Sequence, residues 1–218
     1  PPQSDTHREF HPHQEFMAGL NYLRSEPLLL AIALIGVGWA TGGGAAQILF
    51  SVFGEKVFNR GPAGIGIIWG CAGAGLVLGG IVANWLNKRL DFEGYKRTVG
   101  IAYVAHGALY VAFAFERDFG LALVFIGLSR AAGATASVVN YAKVLRYADD
   151  RFRGRVFATM ETMTWTTMMV SLFVAGIATE TMDPRVIAAI AGCLSGSTGL
   201  VWAWASWTGR LRLPAGKV

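Results

Sequence analysis

Six stretches of apolar residues, parted by short polar segments, organise the chain. They occupy residues 28–54, 61–87, 98–115, 119–142, 156–179 and 186–209. Four carry no charged side chain, whereas 119–142 is interrupted by Arg130 alone and 156–179 by Glu161 alone. A helix needs about 20 predominantly apolar residues to cross the hydrocarbon core of a bilayer. All six runs are near that length, the third being the shortest, and each predicts a transmembrane helix. Barrel strands would instead be about 10 residues of alternating polarity. Ahead of these runs, Phe16, Leu20 and Leu23 recur at i, i+4 and i+7, which predicts an amphipathic helix over 13–26. Pro27 then ends that helix or turns it into the first span. The organisation expected is a cytoplasmic linker with an amphipathic helix over 1–27, a six-helix transmembrane bundle over 28–209, and a cytoplasmic tail over 210–218.

The polar segments alternate in charge. Lys88, Arg89, Lys96 and Arg97 fall between the second and third runs, and Lys143, Arg146, Arg151, Arg153 and Arg155 between the fourth and fifth. Arg8 and Arg24 precede the bundle, and Arg210, Arg212 and Lys217 follow it. Only Lys56, Arg60, Arg117 and Arg185 belong to the opposite side. Basic segments stay in the cytoplasm, so both termini are expected there, with the bundle in the cell's inner (plasma) membrane. Topology thus accounts for the net charge of +5, and no nucleic-acid partner is expected.

Composition agrees. Hydrophobic residues make up 53% and charged residues 15%, against about 25% charged in a soluble domain. Mean hydropathy is +0.43. Glycine, at 28 residues, suits helices whose backbones approach closely in a membrane. Cys71 and Cys193 both fall in apolar runs and indicate no disulfide framework. Nothing after the Pro-Pro opening reads as a cleavable leader. His7, His11 and His13 crowd the start without carboxylates or thiolates at ligand spacing. A solvated linker is therefore expected there rather than a metal site, and no cofactor is implied.

Two charges inside apolar runs carry the chemistry. Arg130 lies about midway along the fourth run, where insertion of an arginine costs roughly 2.5–3.5 kcal/mol. It should face an anionic substrate group, a gating partner, or the carbonyls and hydroxyls of neighbouring helices. Glu161 enters the fifth run from the basic side. It reads as a proton-coupling carboxylate, part of a gate, or a partner of Arg153 or Arg155. At 1.5 Å per residue the depths of Arg130 and Glu161 differ by roughly 10 Å, so no direct pair between them is expected.

Other polar groups are candidate pocket residues. Thr159, Thr162 and Thr166 share a helix face with Trp165 nearby, Trp39, Thr41 and Gln47 surround the glycine run 42–44, and Asn140 and Tyr141 end the fourth run. The glycine run also offers a place for the first span to bend. Small residues at Gly66 and Gly70, and at Gly75 and Gly79, read as close helix packing. His106 reads as peripheral and bonded to a neighbouring backbone. An intramembrane serine protease would need a nucleophile and a base; Ser195 and His106 are the one tempting pair, but Gly192-Cys-Leu-Ser195-Gly196 departs from Gly-x-Ser-Gly. No phosphate-binding Gly-x-x-x-x-Gly-Lys-[Ser/Thr] loop is present. No enzymatic activity is expected.

Several segments together resemble the C-terminal half of a major facilitator superfamily transporter. EFMAGLNYLRSEPLLLAIAL is similar to the segment leading into that family's seventh helix, and RGRV within ADDRFRGRVFATMET is typical of the branch with siderophore and drug exporters. In the loop after the second run, Gly80, Lys88 and Arg89 match the family's motif. Asn84, Trp85 and Asn87 stand where Asp, Arg and Gly would be, which weakens the case for a gating ion pair there. The resemblance covers nearly the whole chain. It implies two inverted three-helix repeats, an all-α fold, alternating access driven by an ion gradient (the proton being one candidate), and export of a small-molecule substrate. It also implies a partner, the N-terminal six-helix half, and a central cavity lined by the first, second, fourth and fifth spans. The implied contacts with substrate or coupling ion are Arg130, Glu161, Trp39, Gln47, Asn140 and Trp165. The implied gating loops carry Gly80, Lys88, Arg89, Arg153 and Arg155. A non-transporting six-helix scaffold or a degenerate half-transporter is the alternative reading.

Overall fold

Helix-start chemistry recurs along the chain and sets the element boundaries. A computed structural model describes residues 12–213, in which the helices are α1 (Pro12–Ser25), α2 (Pro27–Val52), α3 (Gly61–Asn87), α4 (Phe92–Phe115), α5 (Phe119–Tyr147), α6 (Arg153–Ala178) and α7 (Pro184–Trp207). Proline stands in the first turn of α2, α3 and α7, where its missing N–H costs nothing. Asp91, Asp118 and Asp183 cap α4, α5 and α7, each carboxylate accepting a backbone N–H at 2.7 Å. A π-helical turn, Phe53–Val57, extends α2. Among the described residues there is no strand. His7 and His11 lie outside them; His13 is exposed on α1.

Five helical stretches are long and apolar enough to cross a membrane: Pro27–Val57, Gly61–Asn87, Phe92–Phe115, Phe119–Tyr147 and Pro184–Trp207. The chain is thus an all-α, multi-pass membrane protein. The fifth expected span, α6, does not meet that standard. Its 26 residues would reach about 39 Å, ample for a bilayer. Arg153, Arg155, Glu161 and five threonines dilute its apolar character instead. The third span is also longer than its uncharged run: α4 begins at Phe92. Its first turns hold Glu93, Lys96 and Arg97, and Lys96 pairs with Glu93 at 2.7 Å.

Loops of three to five residues join the helices of the bundle, so neighbours in sequence run antiparallel. The two apolar cores confirm this alternation. One core joins the starts of α2, α4 and α6 to the ends of α3, α5 and α7, through Leu29, Tyr95, Val139, Val156 and Trp202. We call this the basic end, because it carries the Lys- and Arg-rich loops and α1. The other core joins the opposite helix ends, through Phe50, Phe53, Ile68, Phe113 and Ile126. The principal packed pairs are α4 with α7, α3 with α5, α2 with α6, α4 with α5, and α2 with α7. This set is unchanged when α2 is exchanged with α5, α3 with α6 and α4 with α7.

Between the two cores lies a layer of backbone crossings. Gly42 of α2 abuts the Ala191 carbonyl of α7, and Gly44 abuts the Met168 carbonyl of α6. The glycine run is therefore a crossing point within α2, which is helical throughout it. Gly75 and Gly79 of α3 meet the carbonyls of Gly127 and Ala131 on α5. Gly66 and Gly70, expected to pack likewise, face open space.

Candidate functional site

The layer between the cores has a closed side and an open side, and the candidate residues divide between them. On the closed side, the Trp39 indole N–H donates to His106 Nε2 at 3.2 Å. That bond makes Nε2 the acceptor, so Nδ1 carries the proton and donates to the Ser129 carbonyl at 2.9 Å. The Ser129 hydroxyl donates to the His106 carbonyl at 2.8 Å. Helices α2, α4 and α5 are thereby tied at one level. His106 is buried within the bundle rather than peripheral, although its bond to a neighbouring backbone is as expected. Ser195 donates to the Trp39 carbonyl at 3.1 Å. With both imidazole nitrogens engaged elsewhere, Ser195 and His106 do not form a nucleophile–base pair.

Arg130 belongs to this closed side. Its guanidinium carbon stands 5.0 Å from the Phe50 ring centroid, a cation–π contact. Phe50 in turn meets Trp69 edge-on at 4.9 Å. Arg130 Nε is buried without a hydrogen-bond partner, as is the Tyr110 hydroxyl. Among the described residues no carboxylate pairs with Arg130.

The open side is built around Glu161. Tyr141 of α5 donates its phenolic proton to one carboxylate oxygen. Trp165, one turn along α6, donates its indole N–H to the other at 3.0 Å. Tyr141 also leans on the Phe157 ring, 5.7 Å between centroids. Trp165 is 57% exposed. Behind this group lies a crevice of about 60 Å³ between α2, α4, α5 and α6, whose walls include Trp39, Tyr103, Ser137, Asn140 and Thr164. That volume holds about two waters, so a larger ligand would sit at the rim, against Tyr141, Glu161 and Trp165. Among the described residues this carboxylate is held by two neutral donors and by no cation.

The candidates fall out as follows. Trp39, whose indole N–H is turned to His106, lines the crevice with Asn140 and Tyr141, and Glu161 joins them through Tyr141 with Trp165 beside it. Asn140 is buried and accepts from the Tyr95 hydroxyl at 2.8 Å, so it stiffens the wall. Gln47 is exposed eight residues beyond Trp39 on α2, about 12 Å further along the helix, and is not part of this group. Thr159 is buried against α1, its hydroxyl 3.4 Å from the Phe16 carbonyl, and does not face the crevice. Tyr103, Ser137 and Thr164 were not singled out from sequence. The i, i+3, i+4 spacing of Ser137, Asn140 and Tyr141 was the available signal. Among the crevice's lining residues α4 contributes Tyr103 and α3 none.

The loop residues divide similarly. Gly80 faces open space. Lys88 is exposed, and Arg89 stacks on Trp85, 4.1 Å from its ring centroid; neither meets an acid. Arg153 pairs with Asp150 at 2.5 Å and donates to the Leu145 carbonyl at 2.9 Å. Arg155 grips Glu15 of α1 through two nitrogens. Neither arginine partners Glu161, because each is spent before reaching it. Tyr22 stacks on Phe152, 4.7 Å between centroids, and accepts the Asp149 N–H at 2.9 Å. The amphipathic helix is thus docked on the start of α6. No known family's sequence profile matches the chain, and no curated protein matches it.

Proposed function

We propose that this chain is the C-terminal half of a secondary active transporter of the major facilitator type, which exports a small molecule by alternating access driven by a proton gradient. In this reading α6 also spans the membrane, making six spans in all, and the basic end faces the cytoplasm. The observation that carries the reading is Glu161: a carboxylate within a bundle helix, held by a phenol and an indole, with no cation. A purely structural carboxylate in an apolar run would be expected to have a basic partner, and the nearest candidates in sequence, Arg153 and Arg155, are occupied. Support for paired inverted repeats comes from the helix packing, unchanged by the exchange of α2–α4 with α5–α7. Glu161 then carries the coupling proton, while Tyr141 and Trp165 meet the substrate. Arg130 acts from the closed side, as a fixed charge that the N-terminal half or an anionic substrate group approaches.

The test is efflux in vesicles holding the chain together with an N-terminal six-helix half. Ethidium is the probe, and an imposed pH gradient is the drive. Glu161→Gln should abolish pH-driven efflux while leaving the amount of folded protein within about 20% of normal, since its amide oxygen can accept from Trp165 and its NH2 can donate to a Tyr141 hydroxyl that turns from donor to acceptor. Residues 1–218 alone should give no flux. Near-normal efflux by Glu161→Gln would remove the carboxylate from the mechanism, and flux from the chain alone would overturn its status as a half.

A further inference from the structure

A second cavity lies apart from the crevice. It is a groove of about 830 Å³ on the outer side of α4 and α7. Its floor is made of small residues, Gly100 and Gly199 among them, with Val104 and Ala203 along its walls. On α4 the groove runs from Glu93 to Ala105, twelve residues and about 18 Å of helix. On α7 it runs from Gly199 to Gly209, about 15 Å. Half of a hydrocarbon core about 30 Å thick is 15 Å. The groove therefore spans one leaflet, from its surface to its middle.

Its mouth is chemically distinct from its floor and opens at the basic end. Lys96 is there, neutralised by Glu93 at 2.7 Å. Arg97 is exposed beside it and, among the described residues, has no hydrogen-bond or ion-pair partner. Arg210 lies just past Gly209 of the rim, its guanidinium 4.3 Å from the Trp204 ring centroid. Trp207, 90% exposed, stands at the same level, as tryptophans do at headgroup depth. At the opposite end the α4–α7 seam is closed: Arg185 of α7 donates to the carbonyls of Ala114 and Glu116 at 2.8 and 2.6 Å. Two other side grooves, of about 340 and 260 Å³, have no charged residue in their linings. Of these three grooves, this one couples an apolar slot of one leaflet's length to a cation at its rim that has no partner among the described residues.

We propose that the α4–α7 groove is a binding site for an anionic glycerophospholipid of the leaflet at the basic end. One acyl chain lies along Gly100, Val104, Gly199 and Ala203, and the phosphate meets Arg97 with Arg210 alongside. Positive-inside orientation puts this end in the cytoplasmic leaflet, where anionic lipids supply the matching charge. The inference is independent of transport, since lipid is retained whether or not the chain moves a substrate.

Native mass spectrometry of the purified chain, titrated with phosphatidylglycerol or phosphatidylcholine, tests it. Phosphatidylglycerol should bind several-fold more tightly. Arg97→Gln should weaken phosphatidylglycerol about fivefold, the effect of one basic residue near an anionic headgroup, and leave phosphatidylcholine unchanged. Ala203→Phe, which fills the slot from an exposed position, should weaken both lipids. Glycerophosphoglycerol, which lacks acyl chains, should not compete. Thermal melting of each variant checks its fold, and Arg210→Gln gives a second reading of the rim should Arg97→Gln melt early. Equal binding of the two lipids, an unchanged preference in both arginine variants, or full competition by glycerophosphoglycerol would overturn the site.

Discussion

The two charges borne within the apolar runs, Arg130 and Glu161, live in opposite surroundings. Arg130 is set among aromatic rings on the closed side, over Phe50 and near Tyr110, with its Nε buried and unbonded. Glu161 is presented on the open side, both carboxylate oxygens satisfied by neutral donors from Tyr141 and Trp165. The contrast follows from what each ion offers. A guanidinium is weakly hydrated and planar, so ring faces compensate part of its desolvation. A carboxylate repels ring faces and needs donors, which aromatic residues supply only at their polar tips. The same residue types thus bury a cation and display an anion.

Backbone crossings define the closed side, so its largest disruption comes from them. A Cβ on Gly107 of α4 would stand 2.5 Å from the Gly192 carbonyl oxygen and 2.8 Å from the Gly196 nitrogen of α7. Gly107→Val should destabilise the bundle by about 3 kcal/mol or more, read as loss of folded protein in size-exclusion chromatography in detergent. A folded, normally melting variant would break the distinction between closed and open sides.

Arg130→Leu is expected to act less on folding and more on function. Replacing a buried, incompletely bonded charge by an apolar residue is often neutral or stabilising. The melting temperature should therefore hold or rise, while efflux in the reassembled transporter falls at least tenfold. Near-normal efflux would reduce Arg130 to a structural residue and leave Glu161 as the sole functional charge.

The smallest effect is expected on the open face of α3. Nothing lies within 4 Å of a Cβ built on Gly70. Gly70→Ala in the isolated chain should change stability by no more than about 0.5 kcal/mol, measured by thermal melting. A loss as large as that from Gly107→Val would mean that this face is packed in the isolated chain, by a second copy for example.

Much of the fold is legible in the apolar runs, because uninterrupted hydrophobic length is itself the physical requirement for a span. The run at 61–87 coincides with α3, and 186–209 departs from α7 by only two residues at each end. The run at 98–115 misses six residues of α4, since charge counting stops at Arg97 although the Asp91 cap starts the helix earlier. The site is less legible. Glu161 and Trp165 are four apart and readable as one face. Tyr141 is twenty residues from Glu161, and Trp39 is sixty-seven from His106. Those partnerships depend on which helix packs where, and apolar runs hold no information about that. The role of Arg155 was hidden for the same reason, since its acid, Glu15, becomes a neighbour only once α1 docks, whereas Asp150 stands only three residues before Arg153.

The polarity of α6 has a consequence for biogenesis. On the proposed topology α6 must cross the membrane, yet of the six bundle helices it alone falls short of the required apolarity. An insertion machine that partitions helices one at a time by hydropathy would pass it poorly. Its main packing partner is α2, which is synthesised well before it and is apolar enough to wait in the bilayer. The Gly44–Met168 crossing and the Ser171 hydroxyl, which donates to the Thr41 carbonyl at 2.6 Å, then give α6 a dock that lipid does not. Insertion of α6 should accordingly be conditional. A glycosylation reporter behind α6 alone should report failure to insert, and the same reporter behind the segment from α2 to α6 should report success. Efficient insertion of α6 by itself would show that its threonines are no obstacle.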